Sequence, residues 1–480
     1  MKSLTKNSLF NAFYQVLNMV FPLISSAYVA RILLPYGVGR VAYAQNIAAY
    51  FVTAAALGIP TVGLRAISKS RDNQEKKDKV FSELIILNAI STTVSLVLYV
   101  VLIFSNPTFR ADIGLYFATG VVIILNYINV DWLYQGHEEY VYIVVRNIIT
   151  KVLFYGALFV FVNTKKDYVV YAVISSLATG GNYVFNIIRA RKYISFTLKD
   201  LDLKQHFKSV FLIACSLFLG SIYSQLDITM LGAMVGEESV GFYSYAHKIL
   251  KMGVNFCTAV TIAFLPRLSY YFENDRNEFY SLVKKGTQIV SFLAIPAIVG
   301  LFIMAPEAIC LLFGNEFLPA VQTLRIFSIL IAVFSFGNLM CYQMMLCSGN
   351  EKKHVIVLSA AATLNVILNA ILIPKIKQDG AAIASVCTEL FINLLEGIYF
   401  YRLLKLEFDW RSLGQAIFSA LVMGLSIMAL KMIMPASIVE FVCCVVIGVC
   451  LYVGMNVVLK NQFTLNAIDS IKRKIRIKAN

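Results

Sequence analysis

The 480-residue chain is poor in charge: Asp, Glu, Lys and Arg supply only 14% of it, where a soluble globular protein carries about 25%. No polar connection exceeds about 20 residues, so no soluble domain stands beside the apolar segments, each of which is long enough to cross a bilayer core. There is no CxxC and no Cys/His cluster. The nine cysteines therefore read as buried thiols and not as metal ligands or disulfide partners. No GxxxxGK[ST] is present to cradle a nucleotide phosphate, and no HExxH. His137, His206, His247 and His354 are dispersed. No cofactor and no metal are expected. The outward connections are too short to carry the carboxylates of a membrane-embedded glycosyltransferase, so the expectation is a transporter and not an enzyme.

What is present is apolar residue, 59% of the chain. Apolar runs of roughly 20 residues recur along the whole length, and each matches a bilayer core. In lipid such runs must be helical, because the backbone has no water to bond with. The first run, from Leu9, is too long for a signal-peptide core. The pattern predicts an all-α polytopic membrane protein of about 14 transmembrane helices, at roughly 9–33, 41–64, 81–105, 112–135, 141–162, 168–188, 209–235, 242–265, 286–312, 321–347, 355–374, 380–401, 413–434 and 438–459.

Basic residues set the orientation. With the N-terminus inside, about 29 of the 42 Lys and Arg fall on the cytoplasmic side and about 6 outside. Both termini are expected in the cytoplasm. The net charge of +15 is thus a topology signal and calls for no nucleic acid. The tail ending IKRKIRIKAN is expected to rest on anionic headgroups.

The sequence repeats internally. At a shift of 202 residues VGRVAYAQNI lies over VGFYSYAHKI, with identities at Val38/Val240, Gly39/Gly241, Tyr43/Tyr245, Ala44/Ala246 and Ile47/Ile249. Arg65 then lands on Arg267. Each copy holds six spans, an even number, so both copies enter the membrane in the same sense, as a parallel repeat. The expected domains are a six-helix lobe over 1–195, a second over 205–402, an appended helical hairpin at 413–459 and a basic cytoplasmic tail at 460–480.

Ionisable residues deep in a span are costly and tend to face a cavity or a partner. Arg31, Asp131, Arg146, Lys151, Asp227, Lys248, Lys251, Arg325, Glu389 and Glu396 fall there. In the first lobe the cations outnumber Asp131, which suits an anionic cargo, and Arg binds phosphate oxygens through a planar fork. Arg31, Arg146, Lys151, Lys248 and Arg325 are the candidate pathway residues. Asp131, Asp227 and Glu389 are the candidate coupling carboxylates, and structural ion pairing is the competing role for each. Lys431 is expected to snorkel. Pro22, Pro60, Pro266 and Pro296 are candidate kinks, and GAMVG at 232–236 is a candidate close-packing face.

The stretch PLISSAYVARILLPYGVGRVAYAQNIAAYF followed by LGIPTVGLRAISKSRD resembles the start of Wzx-type polysaccharide flippases, of the multidrug/oligosaccharidyl-lipid/polysaccharide (MOP) exporter superfamily. LDITMLGAMVGEESVGFYSYAHKI with LPRLSYYF resembles the start of that family's second lobe, and GAAIASVCTELF its twelfth span. The resemblance covers most of residues 5–402. Leu34 stands where the family commonly has Gly, and Val62 where it often has an aromatic residue. The resemblance implies a MATE-like V of two lobes and a central cationic cavity. Its cargo would be an undecaprenyl-diphosphate-linked oligosaccharide for capsule, O-antigen or exopolysaccharide synthesis. It implies a bacterial plasma membrane, contact with membrane lipids, and a polymerase and glycosyltransferases as pathway partners. The match of VAR in the first span points to Arg31. The rivals are a multidrug/ion antiporter, which would favour an acidic cavity, and a membrane-embedded ligase.

Overall fold

The structure, a computed structural model, describes residues 4–262, 264–404, 409–435, 437–466 and 468–469. Lys2 and most of the basic tail lie outside the described residues. Among the described residues every regular element is helical. The chain packs as two compact units, residues up to Gly241 and residues from Phe242.

The first unit holds α1 (Leu4–Ala56), α2 (Ile59–Lys69), α3 (Gln74–Ser105), α4 (Pro107–Ala111), α5 (Ile113–Leu125), α6 (Asp131–Gly136), α7 (Tyr140–Phe161), α8 (Tyr168–Gly180), α9 (Asn182–Ala190) and α10 (Leu203–Met234). The helix α11 (Glu237–Ile262) crosses the boundary between units. The second unit continues with α12 (Leu265–Asn274), α13 (Arg276–Ile303), α14 (Ala305–Phe313), α15 (Ala320–Gly337), a π turn at Asn338–Tyr342, α16 (Gln343–Cys347), α17 (Glu351–Leu404), α18 (Trp410–Ile433) and α19 (Ile438–Val458).

Among the described residues nine helices are long and apolar enough to cross a bilayer. Two of these stretches, Phe21–Lys69 and Lys352–Arg402, run 49 and 51 residues, and each serves as two crossings of about 20 residues. A shorter apolar stretch, Ile113–Ile128, stands beside them, and α8 with α9 and α11 lie where the sequence pattern expects further spans. Side chains such as Leu153, Leu212 and Ile433 stand exposed at 58%, 61% and 79%, as lipid allows and water does not.

Two expected loops are elbows instead. Leu34 adopts φ 61°, ψ 174° inside α1, backbone that glycine enters freely and leucine does not, while Pro35 keeps it out of the helical region. Around Pro374 the chain bends at Ile376 and Lys377, the latter at φ 49°. Pro60 and Pro266 are not mid-helix kinks. They occupy the first turns of α2 and α12, where a missing N–H costs nothing. Pro22 and Pro296 do lie inside helices.

The remaining helix ends follow side-chain capping. Asn73 accepts the Lys76 N–H at 2.9 Å to start α3, and Ser437 with Glu440 forms a capping box on α19. Asp409 caps α18: it accepts from the Ser412 backbone at 3.1 Å, the Ser412 hydroxyl at 2.9 Å and Gln288 of α13 at 2.6 Å. The hairpin α18–α19 packs on α13 through Met423, Ile427, Cys444 and Tyr452. In the first unit an apolar cluster includes Ile67, Leu84, Trp132 and Leu133. Gly63 faces the Trp132 ring so closely that a Cβ would clash with it. The GAMVG glycines do not bring two backbones together: Gly232 receives the ring of Tyr43, and Gly236 faces open space at φ 117°.

Candidate cargo pathway

Three sets of charged side chains in the first unit bear on the candidate residues. At the centre, α6, α7 and α9 meet around Arg146, which is 4% exposed. Its Nη1 donates to Asp131 at 2.8 Å and also to Asn186, and its Nε and Nη2 donate to Asn147 at 3.2 and 2.8 Å. Asn186 donates to the same Asp131 oxygen, Asn182 donates to Asn147 at 3.1 Å, and Tyr142 places its ring 5.7 Å from the guanidinium. Arg146 thus fills its fork with protein groups, and the charge of Asp131 is answered. An anionic ligand would reach this guanidinium only by displacing Asp131 or an asparagine.

Arg31 sits differently. It is exposed on α1. Lys151 is half-buried one turn beyond Arg146 on α7, and Asp227 is half-buried on α10. The structure therefore brings Arg146 and Asp131 together.

A third set is a network around Arg40. Arg40 donates to Asp112 at 2.5 Å, lies 3.4 Å from Glu237, and stacks 4.4 Å over the Tyr168 ring. It ties the elbow of α1 to the start of α5, α8 and α11. The sequence signal was the acidic pair Glu237–Glu238 opening a helix, where the macrodipole favours negative charge.

In the second unit Lys248 lies 4.0 Å from the Tyr245 ring. Arg325 reaches the Phe302 carbonyl at 3.4 Å and stands 5.6 Å from its ring. Lys431 does not snorkel: it bonds Glu307 at 2.6 Å and the Ile303 carbonyl at 3.3 Å. Glu389 borders a polar cavity of about 340 Å³. A second cavity, of about 430 Å³, lies between α13 and the hairpin α18–α19. Phe292, Met304, Met423 and Tyr452 are among its lining residues, and it offers almost nothing to a sugar or phosphate.

Outside the spans, Asp409 carries a shifted carboxyl. Partial burial pushes its pKa up, and the bonds from Gln288 and Ser412 with the nearby Lys284 charge outweigh that and hold it below the ordinary carboxylate value. Asp167, in the turn before α8, is held low by the backbone N–H groups of Asn163 and Thr164, at 3.0 and 2.7 Å.

The family model for polysaccharide biosynthesis proteins matches residues 4–272, and the model for the lipid II flippase MurJ matches residues 139–460. The chain belongs to the polysaccharide-biosynthesis flippase family, as a Wzx-type member of the MOP superfamily. It is a transporter, not an enzyme. A putative O-antigen transporter of Escherichia coli is 25% identical over 82% of this chain and 95% of its own length. A probable low-salt glycan biosynthesis flippase of Haloferax volcanii, Agl15, is 25% identical over 79% of this chain and 82% of its own. Among solved structures, the lipid II flippase MurJ in an inward closed conformation superposes with a TM-score of 0.77 at 15% identity, covering 96% of this chain and 99% of that one. This likeness fixes the fold alone.

Proposed function

We propose that this flippase moves an oligosaccharide assembled on undecaprenyl diphosphate across a bacterial plasma membrane, for O-antigen, capsule or exopolysaccharide synthesis. The observation that carries the reading is the pairing of two family models over nearly the whole chain with relatives named for O-antigen transport and glycan flipping. Translocation of a lipid-linked oligosaccharide is the activity. The diphosphate anchor is the finer part of the proposal, and the excess of cationic side chains over Asp131 among the span residues of the first lobe supports it.

A diphosphate cannot leave water without partners, since a lone buried charge costs several kcal/mol. Arg31, Lys151, Lys248 and Arg325 are the groups that supply the opposing charge along the pathway. Arg146 belongs to the same set through its position, with Asp131 as the anion that holds its place. The lipid tail stays in the bilayer while the two six-helix lobes rock about the site, the last helices at 413–459 being an accessory hairpin. Both termini are on the cytoplasmic side. A polymerase and glycosyltransferases of the same pathway supply and consume the cargo. Asp131, Asp227 or Glu389 provides any ion coupling, since the sequence carries no phosphate-cradling loop for ATP.

The test is purified protein in liposomes loaded with a fluorescent undecaprenyl-diphosphate oligosaccharide on one leaflet. The expected result is protein-dependent movement to the other leaflet without ATP. Movement of a cationic drug and none of the glycolipid would overturn the reading.

A further inference from the structure

Glu83, on α3, is 1% exposed, and it serves the segment that joins α9 to α10. Its Oε1 accepts the Asp202 N–H at 2.7 Å, and its Oε2 lies 2.8 Å from Nε2 of His206. Three more bonds run along the same helix. Gln74 donates to the Tyr193 carbonyl at 3.0 Å, the Ser195 N–H donates to Asp78 at 2.9 Å, and the Thr197 N–H donates to the Ser82 hydroxyl at 2.9 Å. At each of these rungs the helix advances by four residues and the segment by two. Four helical residues rise about 6 Å and two of an extended chain about 6.6 Å, so the two run in register. The connection between α9 and α10 is thus a strap zipped along α3 and not a free loop.

The zip leaves an apolar edge uncovered. Ile194 is buried in the apolar cluster of the first unit, but Phe196 and Leu198 stand 56% and 71% exposed. Arg191, Lys192, Lys199, Lys204 and Lys208 around them are exposed as well, against Asp200 and Asp202. Large apolar side chains set among cations are the mark of a segment that lies in a membrane interface. The edge continues onto α10, where Phe207 and Phe211 stack at 5.9 Å and are 54% and 50% exposed.

Helix length sets the depth. The 32 residues of α3 make about 48 Å of helix, and the hydrocarbon core takes about 30 Å of that. At its far end α3 stops at Ser105 with Phe104 still 52% exposed, so the excess of about 18 Å falls at the Gln74 end. The rungs from Gln74 to Glu83 occupy that excess. Phe196, between the Asp78 and Ser82 rungs, therefore lies about 5–10 Å beyond the core edge, which is the headgroup layer. At that depth the neighbour is lipid before it is any soluble protein. We propose that the strap docks on anionic phospholipid: Phe196 and Leu198 insert between the headgroups, Lys192 and Lys199 meet their phosphates, and Glu83 is the positioning residue that holds the strap at that depth. The choice of the cytoplasmic leaflet rests on the topology proposed above; the docking itself does not.

Tryptophan fluorescence of the purified full chain in vesicles tests this. The chain has two tryptophans. Trp132 is 1% exposed, and Trp410→Phe removes the other, so Phe196→Trp adds a reporter on the strap. The vesicles are phosphatidylcholine alone, or phosphatidylglycerol and phosphatidylcholine in equal parts, with a nitroxide on the headgroup of either lipid. The expected reporter is quenched by the nitroxide, shielded from aqueous acrylamide, and quenched more by labelled phosphatidylglycerol than by labelled phosphatidylcholine. Lys192→Gln with Lys199→Gln should lower the apparent preference for phosphatidylglycerol at least about fivefold, the worth of one basic residue at an anionic surface. Asp78→Ala, which removes the Ser195 rung, should open the reporter to acrylamide. Leu198→Trp repeats the measurement and decides the matter if Phe196→Trp does not fold. Free access of acrylamide with no quenching by either lipid would overturn the docking and turn the edge into a surface for a protein partner. Equal quenching by the two lipids would overturn the anionic preference, and an unchanged reporter in Asp78→Ala would overturn the zip as what sets the depth. An error in the topology leaves the quenching intact and shows only in reporter fusions, and absence of glycolipid movement refutes the flippase reading alone.

Discussion

Gly39 and Gly241 lie against each other's helix in a self-matching crossing. A Cβ on Gly39 would collide with the carbonyl of Glu237, and a Cβ on Gly241 with the carbonyl of Pro35. The same shift of 202 residues that relates the two glycines also relates Pro35 to Glu237. A contact that maps onto itself in this way is isologous and implies a local two-fold relation between the two segments.

Gly39→Ala and Gly241→Ala should therefore each destabilise the protein, by about 1–3 kcal/mol as overpacking of a tight contact does. The atoms they would strike are backbone, which has no rotamer to yield. Gly114→Ala is the control, since nothing lies within 4 Å of its Cβ position. Unfolding temperatures in detergent compare the three. Equal values for Gly39→Ala and Gly114→Ala would remove the crossing from the stability of the fold.

The Arg40 network predicts a coupling energy. Its side chain and that of Asp112 are 22% and 16% exposed, so the charge-assisted bond is worth less than a fully buried pair, about 1.5–3 kcal/mol. A double-mutant cycle with Arg40→Ala and Asp112→Ala should return a coupling within or just below that range. Arg40→Lys should keep only part of it, because a single ammonium cannot reach Asp112, Glu237 and the Tyr168 ring together. Additivity of the two alanine variants would show that the pair is incidental.

Much of this architecture was legible in the sequence, because bilayer thickness imposes a period that composition alone reveals. The elbow at Leu34 was not, since the Pro-Tyr-Gly stretch after it reads as a loop between two spans, whereas the chain bends there within one run of helix. The site was legible as a set of costly charges and illegible as partnerships. Nothing in the spacing of Asp131, Arg146 and Asn186 says that three helices converge on one guanidinium. Likewise His354 and Glu396 are 42 residues apart, and only the fold-back of α17 brings them together.

Asp409 gives stability a pH dependence. Its folded carboxyl titrates below the unfolded value, which is about 3.9. The contribution is therefore complete above the unfolded value and is lost as pH falls through the folded one. Asp409→Ala should cost about 0.5–2 kcal/mol at neutral pH, the usual loss for an N-cap, and should flatten the acid limb of an unfolding titration. An acid limb identical to wild type would place the acid sensitivity elsewhere.

Topology is open to direct measurement. The basic excess predicts both ends of the chain in the cytoplasm. A reporter active only outside the cytoplasm, fused after Lys460, should be silent, and the same reporter after Lys166 should be active. Activity at Lys460 would mean an odd number of crossings.

Arg31 and Arg146 should separate under the same substitution. Arg146→Ala strips Asp131 of its counter-charge inside a buried network, and breaking such a pair costs about 3–5 kcal/mol. Its first consequence should be low membrane abundance, with polymer output falling in proportion. Asp131→Asn in the Arg146→Ala background should restore part of the abundance, because the uncompensated charge is then gone. Arg31 is exposed on α1, so Arg31→Ala should leave abundance near wild type while abolishing polymer output in a flippase-null strain. Arg31→Lys should recover only part of that output, because a point charge does not reproduce the bidentate grip of a guanidinium on phosphate oxygens. Immunoblots of the membrane fraction and polymer gels from the same cultures read both quantities. Full output from Arg31→Ala at normal abundance would take Arg31 out of the pathway, and normal abundance of Arg146→Ala would show that the Asp131 network is dispensable to the fold.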